Sequence, residues 1–160
     1  MGKVVIIMGS KSDLDWARKI VSFLEKFEVS FEIRVASAHK VPLKCLEILK
    51  EYEGEENLVF ITVAGRSNAL SGFVDAQTSY PVIACPPYSD KFGGADIFSS
   101  LRMPSGVACM TVIEPSNAAL AAVKIMALKD KDFKEKLKEY HKKIKEDLYK
   151  ADEEVKDGKC

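Results

Sequence analysis

Residues 4–8 read Val-Val-Ile-Ile-Met, and the run stops at Gly9. No polar residue interrupts it, so neither face of a strand built from it meets water. Five residues are too few for a buried helix, and the β-branched side chains favour extended backbone. A strand covered on both faces belongs inside a parallel sheet with helices above and below. Similar runs follow at 58–63 (Leu-Val-Phe-Ile-Thr-Val) and 81–85 (Pro-Val-Ile-Ala-Cys). Residues 31–36 and 106–112 complete a set of five expected strands.

Helical patterns separate these strands. Residues 13–27 place Ala17, Ile20, Val21, Leu24 and Phe27 on one stripe, and Ser12 with Asp15 resembles a capping box. Pro42 opens a second helix, to about residue 52, at a position where its missing N–H loses no bond. A third runs to about residue 78. Strands alternating with helices at this spacing make βαβ units. The expected fold is a three-layer α/β/α, flavodoxin-like parallel sheet in strand order 2-1-3-4-5. Ser116 is expected to cap a helix whose body, 118–128, is apolar nearly all round and so calls for cover from another subunit. A charged helix over about 130–153 keeps a stripe of Phe133, Leu137, Tyr140, Ile144 and Leu148, and the tail from 152 to 160 is expected to fray. The organisation read from this is a single domain. Residues 1–128 form its core, and 129–160 form a C-terminal extension helix and tail packed on that core or on a neighbouring subunit.

Composition narrows the function. Among 160 residues, 24 Lys and Arg balance 24 Asp and Glu, where a nucleic-acid binder usually carries a basic surplus. Cys45, Cys85, Cys109 and Cys160 are far apart, with no C-x-x-C, which argues against a metal site and for free thiols in a reducing cytosol. The first apolar run is too short for a signal peptide or a membrane span, so a cytoplasmic location is expected.

Polar loops follow the first three strands: 9–13 (Gly-Ser-Lys-Ser-Asp), 37–40 (Ser-Ala-His-Lys) and 65–68 (Gly-Arg-Ser-Asn). In an open parallel sheet, ligands bind outside the carboxyl ends of the strands, so these loops are expected to line one cleft. Ser10, Lys11, Ser12 and Asp13 offer hydroxyls, a cation and helix-start N–H groups to an anion, or else Ser12 and Asp13 merely cap the helix. His39 is one of two histidines. It is either a general acid/base or a surface histidine, while His141 lies in the charged helix. Lys40 is an anion binder or a plain surface lysine. Arg66, Ser67 and Asn68 orient a planar polar ligand or cap the next helix. The loop 86–94, with Tyr88, Ser89, Asp90 and Lys91, is a lid or a connector.

The segments 8–13 (Met-Gly-Ser-Lys-Ser-Asp), 37–40, 64–68 (Ala-Gly-Arg-Ser-Asn), 80–83 (Tyr-Pro-Val-Ile), 85–87 (Cys-Pro-Pro) and 99–106 (Ser-Ser-Leu-Arg-Met-Pro-Ser-Gly) carry a further message. In this order they resemble the phosphoribosylaminoimidazole carboxylase family of de novo purine synthesis, over roughly residues 4–128. The family has two classes. Class I is a mutase acting on N-carboxyaminoimidazole ribonucleotide, and class II carboxylates aminoimidazole ribonucleotide directly with carbon dioxide. Lys40 after His39, and the Ala-Gly-Arg-Ser-Asn loop, resemble class II. Ala69 stands where animal class II chains usually have Gly. The animal enzymes also fuse this domain to a succinocarboxamide synthetase, so this chain resembles a stand-alone enzyme.

The resemblance implies a catalytic pair, His39 and Lys40. It implies substrate contacts from Ser10, Lys11, Ser12, Asp13, Ser37, Gly65, Arg66, Ser67, Asn68 and Ala69. It further implies no metal or other cofactor, and an octamer with active sites between subunits. Two other readings stay open: the class I mutase, and a non-enzymatic flavodoxin-like nucleotide-binding module.

Overall fold

The computed structural model describes residues 2–158, so Cys160 and any reading of its thiol lie outside the described residues. The sheet consists of β1 (Lys3–Met8), β2 (Ser30–Val35), β3 (Leu58–Val63), β4 (Val82–Ala84) and β5 (Met110–Thr111). All neighbours pair in parallel, in the order 2-1-3-4-5 expected from the sequence. The helices are α1 (Leu14–Lys26), α2 (Pro42–Glu51), α3 (Ala69–Ala76), α4 (Phe98–Leu101), α5 (Pro115–Met126) and α6 (Lys131–Lys156).

The unbroken apolar runs build two cores. Strand side chains alternate in direction, so Val4, Ile6 and Met8 join Val59, Ile61 and Val63 on one face, under α1, α5 and α6. Val5, Ile7, Leu58 and Phe60 point the other way, toward α2 and α3. From Val4 onward β1, and all of β3, lie at or near zero exposure on both faces. The edge strand β2 is half open, and Lys3, Glu32, Arg34, Glu51 and Tyr52 form a linked charged cluster beside it. Charge on an exposed edge discourages pairing with a second sheet.

Several local expectations change. Ser10, not Ser12, accepts the capping N–H: its extended backbone (φ −153°) leads into a 3₁₀ turn at Lys11–Asp13, and α1 begins only at Leu14. Helix α5 starts at Pro115 behind Glu114 and makes no side-chain cap, because the proline itself sets the first-turn geometry and Ser116 is already inside. Strand β5 shrinks from the expected 106–112 to two residues. Gly106 takes φ +85°, and the Ala108 N–H is given to the Asp75 carboxylate instead of to a ladder. Residues 86–94 are not one open loop: left-handed Phe92, Gly93 and Gly94 kink the chain inside a 3₁₀ segment, Lys91–Ile97, that runs into α4. The tail stays helical to Lys156, since nothing between 152 and 156 breaks a helix until Gly158 turns left-handed.

Helix α5 also departs from expectation. Its Ala118, Ala119, Ala122, Val123 and Met126 are fully buried by α1 and α6 of the same chain. Leu120, Ala121, Ile125 and Ala127 are only partly buried, and Leu128 is exposed. Helix α6 reaches that core through Phe133, Leu137 and Tyr140, the last stacked edge-on against Phe23 and Phe27. From Lys142 onward every described residue of α6 is exposed, including Ile144 and Leu148. No described helix is long and apolar enough to cross a membrane.

Candidate active site

The loops after β1, β2 and β3 converge as the carboxyl-end rule requires. They enclose a cavity of about 630 Å³ together with the segment after β4. Each loop has a local cause. The Gly9 N–H reaches across to the Val63 carbonyl (2.9 Å), tying the end of β1 to the end of β3. Ser10 Oγ then accepts both the N–H (3.2 Å) and the hydroxyl (2.9 Å) of Ser12, coiling the first loop so that Ser10, Ser12 and Asp13 line the cavity. In the second loop the Ser37 carbonyl accepts the N–H groups of Lys40 (3.2 Å) and Val41 (2.9 Å). That tight turn leaves His39 and Lys40 exposed on the cavity wall. Ser37 and Ala38 line it beside them.

The third loop contributes Ala64, Gly65, Arg66 and Ser67. Arg66 is held at φ +60°, a left-handed conformation that a residue with a Cβ adopts at a cost, and such strain gathers at functional sites. Its guanidinium also acts on Asp13. Burial raises the Asp13 carboxyl above the usual carboxylate range, while the Ser10 N–H and Arg66 pull it partly back.

Three expected site residues lie elsewhere. Lys11 is exposed outside the cavity lining, and Ala69 opens α3 behind the wall. Asn68 is buried, caps α3 by accepting the Ser71 N–H, and spends its amide inside the protein. Gly9, Ala38, Ala64 and Leu70 also line the cavity, though none is an individual contact expected from the sequence, and so do Pro87, Tyr88, Ser89, Asp90 and Lys91, expected only as part of a lid or connector. The signal was available: β4 also ends at this edge, so its loop must stand beside the others. Tyr88 packs edge-on against Trp16 at 4.8 Å and donates to Glu114 (2.8 Å), which raises its phenol pKa and anchors the segment to α1 and α5.

The described cysteines are free thiols set apart from this chemistry. Burial pushes Cys85 up to about 12, and it raises Cys45 and Cys109 as well. Among the described residues no three His, Cys, Asp or Glu side chains gather as a metal set.

The balance at Asp13 makes a prediction. A carboxyl raised by burial destabilises the fold when ionised, so its penalty is absent at low pH and present above its folded pKa. Asp13→Asn removes that charge with little change of shape. Melting temperature at neutral pH is expected to hold or rise. Affinity for the ribonucleotide that the resemblance implies is expected to fall by about 10- to 100-fold, the worth of a hydrogen bond to a charged acceptor. A variant that loses stability and keeps affinity would make Asp13 a structural cap instead.

Comparison with known proteins agrees with this geometry. The family model described as AIR carboxylase matches residues 3–147. A phosphoribosylaminoimidazole carboxylase of Archaeoglobus fulgidus is 65% identical over 154 residues, covering 96% of this chain and 85% of that protein. A protein of Methanocaldococcus jannaschii named N5-carboxyaminoimidazole ribonucleotide mutase is 45% identical over 157 residues, covering 96% of this chain and 98% of that protein. The crystal structure of Treponema denticola PurE superposes with a TM-score of 0.95 at 47% identity, covering 98% of this chain and 99% of that one. With the sheet order, the shared cavity and these relatives in agreement, the chain belongs to the AIR carboxylase family.

Proposed function

We propose that this enzyme carboxylates 5-aminoimidazole ribonucleotide reversibly with carbon dioxide, giving 4-carboxy-5-aminoimidazole ribonucleotide in purine synthesis. The observation that carries the reading is that one cavity is lined by His39 and Lys40, by Ser10, Ser12 and Asp13, and by residues 64–67. A ribonucleotide needs a polar end for phosphate and ribose and a separate end for its ring. Ser10, Ser12 and Asp13 suit the first. Lys40, Gly65, Arg66 and Ser67 suit the developing carboxylate, because pre-placed donors and cations stabilise charge as it forms.

The steps balance without further reagents. The ring carbon beside the amino-bearing carbon attacks carbon dioxide. A C–C bond forms, and one C–O electron pair moves onto oxygen as carboxylate. That carbon still bears its proton. His39 takes the proton, and the C–H electron pair restores the aromatic ring. In the reverse direction the imidazolium returns the proton and carbon dioxide leaves.

The class II assignment rests on Lys40 after His39 and on Arg66-Ser67-Asn68 in the third loop. The mutase reading is kept as the alternative because of the Methanocaldococcus relative's name. One assay separates them. Turnover of aminoimidazole ribonucleotide is expected to rise with dissolved carbon dioxide until saturation. Turnover of the N-carboxy compound alone, with none of the carbon dioxide dependence, would replace this proposal with the mutase.

The proposal extends to assembly and place. Phe92, Phe98, Leu101, Met110 and Ile113 are exposed along residues 92–113, and Leu128, just past α5, is 85% exposed. Apolar side chains in such number favour burial between copies, and closed symmetry is the usual way to cover them. The reading is a cytoplasmic homo-octamer with sites between subunits, residues 1–128 forming the catalytic core and 129–160 an extension that packs on that core or on a neighbouring subunit. Ala122 is buried within its own chain, so a charge there would test folding. Leu128→Glu tests assembly, and light scattering is expected to show smaller species with less activity. An active monomer of the unmodified protein would overturn the shared sites.

A further inference from the structure

The buried polar side chains among the described residues are Thr62, Asn68, Ser71 and Ser100, and they bond to one another. The Asn68 amide gives an N–H to Ser100 Oγ (2.8 Å). Its carbonyl oxygen accepts both the N–H (3.2 Å) and the hydroxyl (2.9 Å) of Ser71. Ser71 has thereby spent its one hydroxyl hydrogen, so Thr62 donates to Ser71 across 2.7 Å. At the other end, Thr111 Oγ1 donates to the Ser100 carbonyl (3.0 Å), anchoring the chain to β5. Every buried side-chain nitrogen and oxygen among the described residues has at least one hydrogen-bond partner.

Apolar side chains of similar size would fill this space without the desolvation that polar groups carry. What a hydrogen-bonded polar chain adds is direction, since each bond restricts the arrangement of its neighbours. Its mouth opens on the third loop. The Asn68 N–H is held by Ser99 Oγ (2.9 Å), and the same hydroxyl faces the carbonyls of Asp96 (2.7 Å) and Arg66 (3.3 Å). Asn68 is thus pinned at backbone and side chain two residues after Arg66, the cavity residue at φ +60°. Nothing in the Arg66 side chain favours that conformation, so the surroundings must impose it.

We propose that Ser99 and the Asn68–Ser100 pair behind it are positioning residues, which hold the turn at Arg66 in the shape that presents Gly65, Arg66 and Ser67 to the carboxylate being formed. This rests on the carboxylase reading. None of these residues lines the cavity except through the loop they hold. Relaxation of Arg66 to negative φ would move the donors while leaving the Ser10–Asp13 end intact.

The test uses the full chain, with aminoimidazole ribonucleotide at saturating carbon dioxide. Ser99→Ala is expected to lower kcat by about ten-fold or more, because displacements of about an ångström carry penalties of this order. KM for the ribonucleotide should stay within about two-fold, and Ser99→Thr, which restores the hydroxyl, should recover most of the loss. Glycine adopts positive φ freely, so Ser99→Ala should do less harm in an Arg66→Gly background than in the parent. Ser100→Ala, which leaves Ser99 in place and removes the Asn68 anchor, should reproduce the kcat loss if Ser99→Ala folds poorly. A folded Ser99→Ala with parental kcat overturns the proposal. So does a loss confined to KM, a failure of threonine to rescue, or equal harm in both backgrounds. A parent enzyme inactive on aminoimidazole ribonucleotide overturns the carboxylase reading, whereas an active parent with an unimpaired variant overturns the positioning role alone.

Discussion

His39→Asn is expected to lower carboxylation of aminoimidazole ribonucleotide by about 10²- to 10⁴-fold, the usual worth of a positioned general acid or base. The second loop explains why one side chain carries so much. Two N–H groups converge on the Ser37 carbonyl and force a turn whose exposed tip is His39, on the cavity wall. Asparagine keeps a polar group of similar reach at that tip, but it neither accepts nor returns a proton near neutral pH. Binding should therefore survive, because Ser10, Ser12 and Asp13 hold the other end of the nucleotide in this reading. Calorimetry with the ribonucleotide checks binding, and a spectrophotometric assay in both directions checks turnover. Forward and reverse rates should fall by the same factor, since one proton transfer serves both. Near-normal turnover in the variant would remove His39 from the mechanism, and loss of binding would make its role one of contact.

Phe60→Ala is expected to give the largest loss of stability. Phe60 is fully buried in the middle of β3, between β1 and β4, with Tyr52 and Tyr80 edge-on at 6.1 Å on either side. Both tyrosines are held in place. Tyr52 donates to Glu32 (2.7 Å), and Tyr80 donates to the Glu55 carbonyl (2.8 Å). Neighbours fixed in this way collapse poorly into a void, so the cost should approach the upper part of the range for Phe→Ala, about 3–5 kcal/mol. For a domain of this size that lowers the melting temperature by roughly 10 °C, at about 2–4 °C per kcal/mol. Thermal unfolding at fixed protein concentration measures it. A shift under about 3 °C would mean that α2 and the tyrosines repack, and that this core is softer than its burial indicates.

The sheet was legible in the sequence because burial on both faces leaves no polar residue in β1 after Lys3 and only Thr62 in β3. That signal is local and needs no knowledge of neighbours, and with the handedness of βαβ crossovers it gives the strand order. The three loops were legible for a related reason: Gly, Ser and charge directly after a buried strand mark the ligand edge of such a sheet. Their assignment to one chemistry came from the resemblance of their motifs to a family.

Other features depend on atoms far apart in the chain. Asn68 reads as a ligand contact from its place beside Arg66 and Ser67, yet Ser99 and Ser100, some thirty residues later, draw it inward. No spacing in the sequence announces that bond. Helix α5 reads as apolar nearly all round, and part of the cover over its buried side chains comes from α1, near the start of the chain, as well as from α6, which directly follows it. Strand β5 reads as seven residues from its composition and folds as two, since an edge strand has a single neighbour and Asp75 competes for its backbone. Sequence by itself determined what nearest-neighbour physics controls, namely period, burial and turn chemistry. Tertiary structure alone decided which polar groups meet each other and which meet the ligand, because a hydrogen bond is satisfied by whatever partner the fold brings within about 3 Å, at any distance along the chain.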